Sequence, residues 1–94
     1  MPTARFNDTV IATSQDTVVV EGNHYFPADS VVREHLVESS HTSHCPWKGT
    51  AHYYTVRVGD SESENAAWYY PDASDKAKSI EGRIAFWKGV TVSA

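Results

Sequence analysis

Residues 51–70 read AHYYTVRVGDSESENAAWYY, and their patterning decides the fold. From Ala51 to Val58 the chain alternates with the two-residue period of a strand. His52, Tyr54, Val56 and Val58 fall on one face, and Ala51, Tyr53, Thr55 and Arg57 on the other. Gly59 to Asn65 is polar and reads as a loop, after which Ala66 to Tyr70 returns as a second strand ended by Pro71. Both strands carry aromatic residues on both faces. One face must curl over a core, leaving the other to line a cavity or meet a partner.

Working outward toward the N-terminus, Arg5–Phe6 and Thr9–Ala12 are strand pieces around Asn7-Asp8, residues that tolerate left-handed backbone. Thr17 to Glu21 is β-branched, Gly22-Asn23 is a turn, and His24 to Phe26 is a further strand, so the opening is a meander. Asp29 or Ser30 caps a predicted short helix with Val31, Val32, His35 and Leu36 on its apolar side. Toward the C-terminus, Ser74 to Ser79 reads as a single capped turn. Arg83–Trp87 and Val90–Val92 read as a closing hairpin across Lys88-Gly89. The chain is therefore expected to be one domain, 1–94, mainly β and antiparallel, with one short helix.

Composition narrows the function classes. Twelve acidic against eight basic residues give a net charge of −4, which argues against nucleic acid or an anionic membrane as partner. No apolar run approaches a membrane span, and the N-terminus lacks the charged and apolar regions of a signal peptide. A cytoplasmic protein is expected. The three Trp, five Tyr and three Phe can supply most of a small core.

The chemistry-bearing residues concentrate in His41 to Tyr54, HTSHCPWKGTAHYY. Metal binding is disfavoured, because adjacent His44 and Cys45 rarely face one ion and no second Cys completes a structural site. Neither a metal nor a cofactor is expected. Cys45 beside His44 is a candidate catalytic pair, since a nearby base or cation lowers a thiol pKa; the plainer reading is an ordinary cysteine opening a turn. Lys48-Gly49 lacks the glycine-rich cradle of a phosphate loop. Aromatic walls around a few polar groups suit a small planar or cationic ligand. Tyr25, Trp47, Tyr53, Trp68, Tyr69 and Trp87 can provide the walls, with Lys48, His44 and Cys45 as the polar groups. Against this stands simple core packing, which accounts for about half of such rings but not for those on both strand faces.

Tyr25-Phe26-Pro27, Ser43 to Gly49 (SHCPWKG), Tyr53-Tyr54, Ala67 to Pro71 (AWYYP) and Ile84 to Trp87 (IAFW) together resemble the domain-of-unknown-function 427 family. These are small bacterial and fungal proteins sometimes labelled nucleotidyltransferase. The resemblance spans nearly the whole chain and implies a tent-like antiparallel β fold with a short helical segment. Relatives of that fold hold structural zinc on paired cysteines, and some cage small ligands with aromatic rings. Here Cys45 stands alone, and the clustered carboxylates a transferase needs are missing. Carried over by motif position, Tyr25, Cys45, Lys48, Tyr53, Trp68 and Tyr69 are the implied site; Trp47 joins them as the motif's own aromatic. The leading expectation is thus a small-molecule-binding β domain. An enzyme using Cys45 as nucleophile and a homodimeric interaction module are the alternatives.

Overall fold

The computed structural model describes residues 1–94. Nine strands form three antiparallel sheets, and no barrel closes. Strands β1 (Thr3–Phe6), β2 (Thr9–Thr13) and β9 (Thr91–Ser93) make one sheet in the order β2-β1-β9. Strands β3 (Val18–Val20) and β4 (Asn23–Tyr25) form a hairpin. The long strands β5 (Leu36–Cys45), β6 (Gly49–Val58) and β7 (Ser61–Tyr69), with β8 (Ile84–Phe86), make the principal sheet in sequential order. The fold is mainly β, as the patterning predicted.

The tight turns follow from local chemistry. Asn7 and Asp8 both take left-handed backbone, with φ of 52° and 62°, closing the β1–β2 hairpin in two residues. Glu21 (φ 55°) and Gly22 (φ 81°) do the same between β3 and β4, one residue earlier than the expected Gly22-Asn23 turn.

The principal sheet carries a core on each face. On one lie Val56, Ala67, Ile84 and Phe86, packed with Ala4, Ile11, Phe26 and Val31 from the N-terminal region. On the other lie Ala51 and Ala85 with Tyr25, Tyr70, Ala73, Ala77 and Ile80. Each fully buried Phe or Ile contributes about 1.5–3 kcal/mol relative to exposure, so Phe26, Ile11, Ile80 and Ile84 anchor the two layers. Reciprocal backbone hydrogen bonds between Phe26 and Ile84, 2.8 and 2.9 Å, tie the chain just beyond β4 to the edge strand β8.

Three expectations are corrected. The predicted helix at Val31–Leu36 is instead two one-turn 3-10 segments, Ala28–Ser30 and Arg33–His35, split by extended Val31 and Val32. Val31 pairs with Ala12 and is buried, so tertiary packing overrides a marginal two-turn helix. The longest 3-10 stretch is Asp75–Ile80, two turns kinked at Ala77, whose Ala77 and Ile80 pack on the second face of the sheet. The predicted 59–65 loop is only Gly59-Asp60, because Ser61–Asn65 continues β7 with its polar side chains alternating toward solvent. Finally, β8 and β9 do not pair: β8 joins β7, and the chain crosses at Lys88-Gly89 to place β9 against β1.

Candidate functional site

An open cavity of about 140 Å³ lies on the second face of the sheet, lined by Lys48, Tyr53, Trp68, Tyr70 and Trp87. Tyr53 and Trp68 are direct cross-strand partners on β6 and β7, so their rings stand side by side. On the other side of Trp68 the cross-strand partner is the small, fully buried Ala85. Trp87 follows β8 and meets Trp68 edge to face, with centroids 5.6 Å apart.

Each ring is held from behind. The Trp68 indole donates to Tyr25 Oη at 3.2 Å, and the two rings pack at 90°; Tyr25 is fully buried. The Trp87 indole donates to the Asn65 carbonyl at 2.7 Å. Asn65 takes left-handed backbone (φ 57°) where the β6–β7 register shifts. Tyr53 Oη hydrogen-bonds the Ser43 hydroxyl at 2.8 Å, while His41 lies against its ring.

Lys48 is the one charged lining residue and is only 8% exposed. Its Nζ donates to Glu21 Oε1 across the β3–β4 turn and lies 5.3 and 5.7 Å from the ring centroids of Trp47 and Tyr70. Burial disfavours the ammonium, but the Glu21 hydrogen bond and the electronegative surroundings of Tyr25 and Tyr70 outweigh it. The Lys48 pKa therefore moves above its ordinary 10.5. An ammonium held in its charged form serves as a fixed cation, not as an amine nucleophile. For the neutral Tyr70 phenol burial acts in the opposite sense and raises the pKa, an effect partly offset by the Lys48 charge.

The turn that delivers Lys48 is clamped to the Asp72–Ser74 segment. Ser74 N–H donates to the Lys48 carbonyl at 3.0 Å, and its hydroxyl donates to the Trp47 carbonyl. Gly49 sits at φ 116°, and a Cβ there would meet the Asp72 carbonyl at 3.1 Å, so the position demands glycine.

Of the sequence-predicted residues, Lys48, Tyr53, Trp68 and Trp87 line the cavity. Tyr25 stands behind Trp68. Trp47 lies beneath the Lys48 ammonium, 39% exposed, and does not line the cavity. Cys45 packs against the second core without reaching the lining. His44 alternates away from Cys45 to the exposed side, its Nδ1 3.4 Å from Thr50 Oγ1. Tyr69 lies on the opposite face, where it stacks on Tyr54 at 5.0 Å and packs against the first core. Sequence reasoning left Tyr70 and Glu21 out of the site. Tyr70 looked like the end of a strand, and Glu21 approaches from a turn 27 residues before Lys48, with no local signal of the pairing. No group of three or more His, Cys, Asp or Glu side chains converges as a metal-ligand set. No helix is long and apolar enough to cross a membrane.

Comparison with protein families gives one match over nearly this entire architecture: the model of a domain of unknown function, DUF427, aligns with residues 3–93. The chain belongs to the DUF427 family. No curated protein matches it. Because the DUF427 match begins in β1 and ends in β9, it takes in the β3–β4 turn, the Cys-Pro-Trp-Lys-Gly turn and both strands that build the cavity. The family description assigns no activity, so a functional reading of this DUF427 domain has to come from the cavity.

Proposed function

We propose that this protein binds a small, planar, single-ring molecule in the cavity formed by Lys48, Tyr53, Trp68, Tyr70 and Trp87. One observation carries the reading: four aromatic rings border an open space beside a buried ammonium instead of closing over it. Left to simple core packing, rings of this size interdigitate and leave few voids larger than a water molecule. Trp87, 44% exposed, forms a rim that a ligand would cover. A cavity of about 150 Å³ lined by apolar side chains accommodates a benzene-sized guest, which matches the 140 Å³ here. Rings on several sides favour a flat guest through stacked and edge contacts.

Soaking crystals with single-ring aromatic fragments tests this. Density for a fragment against Trp68 and Trp87 is expected, and its disappearance in Trp87→Ala. Fragments that settle only elsewhere, with the cavity empty, would sink the proposal.

A further inference from the structure

From the geometry around Lys48 we infer that the ligand carries an anionic group, and that Glu21 is a built-in competitor that the ligand's anion displaces from the Lys48 ammonium. The inference rests on the binding reading above and adds the ligand's charge and a specificity-determining residue.

Three features support it. Lys48 is the sole charged group lining the cavity, and Glu21 itself is not part of the lining; its carboxylate reaches Nζ from the β3–β4 turn. The ammonium has three N–H bonds, and Glu21 is its only hydrogen-bonded acceptor within the protein. Donors therefore remain for a guest. The two partners are also unequally fixed. The Lys48 side chain is 10% exposed and its backbone is clamped by Ser74, whereas the Glu21 side chain is 55% exposed on a two-residue turn. A half-exposed carboxylate gives up little when it returns to water, because exposed ion pairs are weak. The buried cation, by contrast, needs a counter-charge wherever it comes from. A carboxylate or enolate on a planar ring seated between Trp68 and Trp87 supplies that charge and leaves Glu21 to solvent. A neutral ring of the same shape would fill the cavity and leave the Glu21–Lys48 pair intact.

Benzoate and benzamide, flat and nearly isosteric but of different charge, separate these cases in an NMR titration of the full chain. The wild type is expected to bind benzoate more tightly than benzamide. Glu21→Gln removes the competing charge at a half-exposed position and keeps an amide oxygen that can accept from Nζ; it should tighten benzoate about two- to fivefold, with a smaller change for benzamide. Lys48→Met should abolish the preference for benzoate over benzamide. Should that variant unfold, Lys48→Arg provides the cation in another shape and should keep the preference. Benzamide binding with benzoate no tighter in either wild type or Glu21→Gln would overturn the inference and leave the binding reading standing. Equal tightening of both probes in Glu21→Gln would also overturn it. Binding of neither probe to either protein would instead remove the binding reading and the inference with it.

Discussion

Trp-Lys-Gly occurs twice in this chain, at 47–49 and at 87–89, and the two copies divide the work in opposite ways. In the first, the lysine is buried, paired with Glu21 and facing the cavity, while the tryptophan lies outside the lining beneath it. In the second, the tryptophan forms the cavity rim, while the lysine is exposed with its ammonium 4.9 Å from the Trp87 ring centroid. The backbones differ as well. Lys88 (φ 49°) and Gly89 (φ 94°) turn together in left-handed conformation, closed by a 3.1 Å hydrogen bond from Val90 N–H to the Trp87 carbonyl. In the first copy only the glycine is left-handed, and the Asp72–Ser74 segment packs onto the turn. An identical tripeptide thus contributes a charge at one place and a ring at another, and the packed neighbour decides which.

The largest contrast is expected at the glycines. Gly49→Ala must accept both φ 116° and a close carbonyl, which should cost about 2–3 kcal/mol in urea unfolding. At Gly89 the nearest atom to a new Cβ is a Phe6 ring carbon at 3.7 Å, so Gly89→Ala should cost only about 1 kcal/mol, for the backbone alone. Both turns are held by a serine hydroxyl, Ser74 on the Trp47 carbonyl and Ser63 on the Lys88 carbonyl, so equal costs would mean that the closer backbone packing at Gly49 has no effect.

Next come the rings and the charges. Trp87→Ala should abolish fragment binding, whereas Trp47→Ala should leave most of it, as followed by titration with a neutral ring. Lys88→Met should change stability by less than about 0.5 kcal/mol, the range of ordinary surface changes. Lys48→Met leaves Glu21 half in water and should cost about 1 kcal/mol or less, given the screening of an exposed partner. A larger loss at Lys88 than at Lys48 would reverse the assignment of roles.

The smallest expected effect is on alkaline stability. Lys48 and Tyr70 both hold their protons more tightly when folded than at their ordinary values of 10.5 and 10.0. Their contribution is fully present below those unfolded values and is lost as pH rises through the folded ones. Unfolding free energy should therefore fall as pH rises past the ordinary values of 10.0 and 10.5 in the wild type, and fall less steeply in a Lys48→Met, Tyr70→Phe double variant. Identical slopes would mean that the two groups do not sense the folded state.

Much of the fold was legible because it rests on local rules. The alternation of 51–58 correctly sorted Tyr54, Val56 and Val58 to one core and Ala51 and Tyr53 to the other. Asn7-Asp8 announced its turn through backbone preference alone. The misreadings share a cause, which is that long-range pairing overrode local signal. Ser61–Asn65 is loop-like in composition, but its first three residues pair with Val56–Val58, and Val90–Val92 reads as a hairpin arm although β9 pairs with β1 at the other end of the chain. The site followed the same division. Lys48, Tyr53 and Trp68 were visible as motif and cross-strand residues. Glu21 depends on how one hairpin leans on the principal sheet, which no local pattern encodes.

A ligand seated between Trp68 and Trp87 is reported separately by the chain's three indole N–H groups. In a ¹H–¹⁵N spectrum titrated with benzamide, the signals of Trp68, bonded to Tyr25, and Trp87, bonded to Asn65, should move saturably with one common affinity. The Trp47 signal, outside the lining, should move far less. Movement of Trp47 alone, or no saturable movement of Trp68 and Trp87 with any single-ring probe, would contradict the account.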